Sequence, residues 1–268
     1  MREGEIGVKI SEAVSLIEDQ LPKQWAEEWD NIGLLIGDPD ALVRRIAVAL
    51  DPGPEQLLAA SSGRYDLLIT HHPLLFQPIK KIIVNTPAAQ SIALSLSNGV
   101  AVYAAHTNWD ASSVGVNSIL AAALGLEEVS PLLPSGSGAW GTGAVGILPK
   151  PAEMRGFLKN VRERWNLSHV RFYGHGDMMV RKVALCGGSG GSFWRSALDL
   201  GADVYITADM SYHALLDATH AGLCVAVADH GEMERLSIPF LAQLVQSWTG
   251  IETCAIREPV LVSSLIMG

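Results

Sequence analysis

Five of the eight histidines stand directly behind apolar runs that read as strands, or one short turn further on. DLLIT at 66–70 is followed by His71-His72-Pro73, and VAVYAA at 100–105 by His106-Thr107-Asn108-Trp109-Asp110. Behind LCVAVA at 223–228 come Asp229-His230-Gly231-Glu232-Met233-Glu234, and behind VYIT at 204–207 come Ala208-Asp209-Met210-Ser211-Tyr212-His213. Open α/β sheets assemble their sites beyond the carboxyl ends of strands. Imidazole nitrogen and carboxylate oxygen together are the usual donors for zinc, iron or manganese. His71 and His72 are adjacent, so on a loop their rings can address two neighbouring ions. His230 and Glu234 are four apart; on a helix starting at His230 they face one way, and a glutamate can bridge two ions. Asp110 adds a second carboxylate. The set His71, His72, Asp110, His230 and Glu234 is too rich for one tetrahedral ion with an open position. It fits two divalent ions about 3.5–4 Å apart, the spacing of two-metal hydrolytic sites.

Each signal alone has an ordinary reading. A His-His pair is more often loop or cap than ligand, and His-x-x-x-Glu is usually a solvated helix pair. Their coincidence at three strand ends is what carries the metal reading. His213 and His106 are the candidates for moving protons. His106 could instead be a sixth ligand or a donor that orients Asp110, the latter being preferred; His213 could equally be a helix-start histidine. Asp30 and Asn31 read as a turn before they read as ligand contacts. Gly187-Gly188-Ser189-Gly190-Gly191 could cradle a phosphate at a helix start. No Walker lysine follows it, so a tight strand-to-helix turn is the better reading. His169, His175 and His220 carry no constellation, and the tryptophans read as packing, except Trp109 inside the candidate site.

The elements that must position these residues alternate. Strands are expected at 45–50, 66–70, 100–105, 182–186, 204–207 and 223–228. Helices are expected at 10–21, 55–60, 87–97, 116–124, 152–165, 193–200, 212–221 and, as one long final helix, 232–247; the tail EPVLVSSLIMG reads as a further strand. Unbroken apolar strands between helices mark parallel β-α-β units. Between 127 and 146 the texture turns to glycine, proline and serine, which marks a linker or a change of lobe. The expected division is a first lobe at 1–126, completed by 229–268, and a second lobe at 127–228.

Composition bounds the function. The 268 residues carry 19 Lys plus Arg against 28 Asp plus Glu, a formal charge of −9. That balance argues against nucleic acid as a partner, since polyanion binding draws on excess cation. Cys186, Cys224 and Cys254 form no Cys-x-x-Cys pair and support neither a disulfide framework nor a thiolate zinc site. The amino-terminal stretch lacks the apolar core of a signal peptide, and no apolar run approaches the roughly 20 residues of a membrane span. A soluble cytoplasmic protein is expected, with no membrane partner.

The sequence resembles the dinuclear-metal-centre hexameric proteins, also called Ngg-interacting-factor-three-like proteins or GTP cyclohydrolase I type 2 homologues. The matching stretches are WDNIGL at 29–34, ITHHP at 69–73, HTNWD at 106–110, CGGSG at 186–190, DVYITADM at 203–210 with His213, and DHGEME at 229–234. The resemblance implies an α/β fold of two related lobes with mainly parallel sheets flanking a metal-containing cleft. It also implies a homo-oligomer, a hexameric toroid with metal sites facing an inner cavity. Carried over residue by residue, the family's ligands fall on His71, His72, Asp110, His230 and Glu234, with Glu234 as the bridge. Ala208 stands where a glycine is common, and Gly-Glu-Met follows His230 in place of an aromatic-led segment; neither touches the ligands. The chain is too short for the inserted domain of larger members.

These readings converge on a protein with two divalent ions per chain (Zn, Fe or Mn), expected to be a metal-dependent hydrolase of a small anionic substrate, a nucleotide or phosphoester. The cyclohydrolase label enters by resemblance only. The competing class is a non-enzymatic metal-binding oligomer with a regulatory, metal-handling or partner-docking role. A di-iron oxidoreductase fits less well, because such sites use more carboxylates on bundled helices.

Overall fold

The structure, a computed structural model, describes residues 7–136 and 138–256. The tail expected as a strand at 258–268 lies outside the described residues. Within them the chain divides into two compact units, 7–109 with 238–256, and 110–237.

The first unit is built on a five-stranded sheet in the order Glu252–Ala255, Arg45–Ala49, Leu67–Thr70, Ala101–Ala104, Gly33–Ile36. The first four strands are parallel and Gly33–Ile36 runs antiparallel at the edge. Leu67–Thr70 and Ala101–Ala104 are buried at every position, as a strand covered on both faces requires. Helices Ile10–Gln20, Pro54–Ser62, Pro87–Asn98 and Ile238–Thr249 accompany this sheet. Pro87–Asn98 shows how locally such a helix is specified. Thr86 accepts a hydrogen bond from the Ala89 amide, proline opens the first turn, and Gly99 at φ +67° closes the last.

The second unit holds a six-stranded sheet in the order Arg171–Tyr173, Cys224–Val227, Val204–Thr207, Met179–Leu185, Ala144–Glu153, Glu127–Ser130. Its three inner strands from Met179–Leu185 to Cys224–Val227 are parallel; the others are antiparallel. The two units repeat one local device. In the first, Asp66 Oδ2 accepts the amides of Arg44 and Arg45 at 2.7 and 3.1 Å. In the second, Asp203 Oδ2 accepts those of Arg181 and Lys182 at 2.8 and 2.7 Å. Each aspartate precedes the central strand of its parallel set and ties it to the start of the neighbouring strand, so the registers are set alike.

The first sheet is mainly parallel, as expected, and the second is mixed, with three of its five pairings antiparallel. The segment at 127–146 is not a bare linker: it contains Glu127–Ser130, two short strands at Leu133–Pro134 and Gly141–Thr142, and the start of Ala144–Glu153. Pro149 and Pro151 hid that last strand; they fall where its register with Met179–Leu185 breaks, between Ile147 and Ala152. The expected long helix at 232–247 is two helices, His230–Arg235 and Ile238–Thr249, because Pro239 has no amide to continue the ladder. That break coincides with the unit boundary. Residues 110–126 and 229–237, expected with the first lobe, group with the second unit. No helix among the described residues is long and apolar enough to cross a membrane.

Candidate metal centre

In the first unit, His71, His72 and His106 each offer a donor atom within 4.8 Å of the others. His71 and His72 leave the carboxyl end of Leu67–Thr70, and their amides still bond to Ala49 O and Leu50 O of the adjacent strand at 3.2 and 2.9 Å. The rings are therefore held by sheet geometry rather than by a free loop. His71 Nδ1 donates to Ala105 O at 3.0 Å. A carbonyl oxygen only accepts, so Nδ1 carries a proton and Nε2 is the ring nitrogen left to bind an ion. His72 Nδ1 donates to Asp51 Oδ1 at 2.7 Å, and His106 Nδ1 to Asp30 Oδ1 at 2.9 Å.

Asp30 is the anchor behind His106. Its side chain is inaccessible to solvent, and it also accepts from Thr107 N at 3.1 Å and Thr107 Oγ1 at 2.5 Å. Burial pushes its carboxyl upward, but the bonds from His106 and Thr107 outweigh that and hold the pKa at about 2. The carboxylate is ionised at neutral pH, and its charge strengthens the bond from the His106 Nδ1 proton.

In the second unit, Asp229 caps the helix His230–Arg235 by accepting the Glu232 amide at 2.9 Å, which starts the helix at His230. His230 and Glu234 then lie one turn apart, His230 Nε2 standing 3.1 Å from Glu234 Oε2. His230 Nδ1 donates to Asp209 Oδ2 at 2.6 Å. Asp209 sits at φ +49°, accepts also from Ser189 Oγ at 2.7 Å, and has its pKa lowered, chiefly by the His230 bond. Carboxylate oxygens of Asp110 and Glu234 come within 4.8 Å of each other. The buried Cys186 registers their field: burial first, then Asp110 and Glu234, drive its thiol pKa up. Asn117 fixes the floor, donating to Asp110 O at 3.2 Å and accepting from Gly187 N at 2.9 Å.

The glycine-rich turn also acquires a reason. A Cβ on Gly188 would collide with Glu234 Oε1 and lie 3.2 Å from His230 Nε2. The turn makes room for the two donors. These residues suit a divalent metal: nitrogen and oxygen donors, every candidate histidine fixed through Nδ1, and a cradle kept open by the absence of a side chain.

The expected ligands thus appear as two sets, His71 and His72 with His106 in one unit, Asp110, His230 and Glu234 in the other. His213 stands apart from its unit's set. It is exposed at the start of Tyr212–His220, behind the N-cap Ser211, with its ring 5.3 Å from that of Tyr212. Trp109 is fully buried. Asp51, Asp209 and Asn117 carry roles the sequence did not assign. Asp51 and Asp209 follow the ends of strands Arg45–Ala49 and Val204–Thr207, the same place that marked the histidines.

A family model described as Duf34/NIF3 (NGG1p interacting factor 3) matches residues 8–259, almost all of the chain. The chain belongs to the Duf34/NIF3 family. It is 30% identical over 260 residues to a "GTP cyclohydrolase 1 type 2 homolog" of Clostridium acetobutylicum, covering 96% of each chain. It is 32% identical over 234 residues to "NIF3-like protein 1" of Drosophila melanogaster, covering 85% of this chain and 79% of that one. A crystal structure of a Staphylococcus aureus hypothetical protein shares the fold with a TM-score of 0.91 at 25% identity, over 97% of this chain and all of the other. The six matching stretches in the sequence pointed to the same family.

Proposed function

We propose that His71 and His72, together with Asp110, His230 and Glu234, hold two divalent ions, and that the protein is a metal-dependent hydrolase of a small anionic substrate, a nucleotide or phosphoester. The observation that supports this most is the common anchoring of the candidate histidines. His71, His72 and His230 each give Nδ1–H to an oxygen acceptor, which leaves Nε2 as the donor atom in all three. Glu234, with two oxygens on a buried side chain, is the bridging candidate. Zinc, iron and manganese all accept this donor set.

Divalent ions bound there would lower the pKa of water and polarise the bond under attack. Two ions bring four formal charges and the two carboxylates return two, so the site favours an anionic substrate. Asp51 and Asp209 hold the rings of His72 and His230 in place, removing rotational freedom before any ion arrives. His106 keeps its Nδ1 proton on the ionised Asp30 and offers Nε2 as an acceptor, the assignment for a group that moves protons. The names of the bacterial relatives support a nucleotide within the substrate class. The hexamer implied by the family belongs to the same reading, and sedimentation of the full chain tests it.

Turnover tests the catalytic part. Protein reconstituted with zinc, iron or manganese is screened against phosphomonoesters, phosphodiesters, nucleotides and carboxylic esters. The expected result is turnover of at least one phosphate-bearing class that EDTA and Glu234→Ala both abolish. Full metal occupancy with no turnover on any member would leave the non-enzymatic metal-binding reading in its place.

A further inference from the structure

Beside the His106 ring of the first unit lies a cavity of about 590 Å³, lined by Trp29, Asn31, Phe76, Gln77, Ile82 and Leu96 among others. That volume is the size of a small-molecule site. Its lining is mostly apolar, yet Trp29 and Phe76 remain 60% and 46% exposed. Their rings meet edge to face, with centroids 5.8 Å apart and planes at 70°, and so form a corner with an aromatic floor and an aromatic wall. The corner is continuous with the histidines. The His106 ring lies 6.1 Å from Trp29 and 6.4 Å from Phe76, again edge-on. Two side-chain amides, Asn31 and Gln77, line the same cavity, and Asn31 is fixed by donating from Nδ2 to Leu75 O at 2.6 Å.

We infer that this cavity binds a planar nitrogen heteroaromatic ring carried by the anionic substrate. An aliphatic occupant would use the apolar walls but neither the ring faces nor the amides. A flat heteroaromatic ring uses all three: it stacks on one aromatic face, meets the other at its edge, and exchanges hydrogen bonds with the amides. The geometry also assigns direction, since the ring's substituent leaves the corner past His106 toward His71 and His72. The inference rests on the hydrolase reading for its anionic end, but the ring site stands on residues of the first unit alone.

The test uses the full chain, zinc-reconstituted and EDTA-treated, with Trp29→Ala and Phe76→Ala beside the unaltered protein. The probes are AMP, GMP and ribose 5-phosphate by calorimetry, and adenosine and guanosine by ligand-observed NMR. On zinc-loaded protein at least one nucleotide is expected to bind on the order of 10-fold more tightly than ribose 5-phosphate, the scale of one base–aromatic stack. Both substitutions should erase that advantage while ribose 5-phosphate affinity and zinc content hold. A nucleoside should still contact the EDTA-treated protein, so absence of phosphate binding on the zinc-loaded protein with nucleoside binding intact would count against the metal reading and not against the ring site. Equal affinity for nucleotides and ribose 5-phosphate, no nucleoside contact, or no effect of either substitution would overturn it. A changed sedimentation mass in either variant with unchanged probe binding would assign this face to a second copy of the chain, and would overturn it too.

Discussion

His230 donates from Nδ1 to Asp209 at 2.6 Å, and Asp209 makes that bond from a left-handed backbone at φ +49°. A non-glycine residue rarely adopts this conformation, and holding it costs on the order of 1 kcal/mol. Here the carboxylate is aimed at once at the ring and at Ser189 Oγ. Asp209→Asn should keep the fold but weaken zinc binding by roughly 10-fold or more, as loss of a ligand-orienting carboxylate does elsewhere. Competition with a chromogenic chelator measures it, and an unchanged zinc affinity would remove the positioning role.

Gly188→Ala should be costly for two separable reasons. At φ +66° any side chain is strained, and the new Cβ would meet Glu234 Oε1. Gly125 provides the control, with φ +68° and open space around its position. Gly125→Ala should cost about 1 kcal/mol of stability from the backbone alone. Gly188→Ala should cost more and should also lower metal content, because Glu234 must move. Denaturation midpoints and metal content of the two variants separate strain from displacement.

Asp30 predicts an acid limb to stability. Its folded pKa is about 2 against an ordinary 3.8. The folded state therefore binds fewer protons than the unfolded chain between these values, and stability falls as pH falls from about 4 toward 2. The buried carboxylate accounts for about 2 kcal/mol of that loss. Urea melts of EDTA-treated protein should show a shallower acid limb in Asp30→Asn than in the unaltered chain. Identical slopes would contradict the anchoring role.

The three cysteines should react unequally. Cys186 and Cys224 are buried and Cys254 is exposed. Burial, Asp110 and Glu234 keep the Cys186 thiol protonated well above the usual range. A disulfide reagent at pH 8 should label one thiol rapidly, and Cys254→Ser should abolish that phase. All three thiols should appear only in guanidinium. Rapid labelling of Cys186 in native protein would show that the ground beside Glu234 is open to solvent.

The parallel strands were legible because their type is written in continuous apolar runs. DLLIT and LCVAVA read as strands buried on both faces, being short and bounded by turn residues, and the residues behind them were the ones to read for chemistry. The antiparallel partners were not legible. Ala144–Glu153 carries two prolines, and Glu127–Ser130 is exposed at all four positions, so neither has the apolar pattern on which strand reading depends. The helix break at Ser237 was hidden for a related reason, since Pro239 falls within an amphipathic stretch that otherwise keeps its period. At the site, the candidate donors could be found from spacing. Their supports could not, because Asp51 to His72 and Asp30 to His106 are bonds across 21 and 76 residues of sequence. Such pairs follow from strand order alone.

The most direct test of the central claim is metal per chain, measured by plasma mass spectrometry on protein reconstituted with zinc, iron or manganese, for the unaltered chain and for Glu234→Ala. The account predicts about two ions per chain for a two-metal centre, falling to one or fewer when the bridging carboxylate is removed. Well under one ion per chain under all three metals, or the same content in Glu234→Ala, would contradict it.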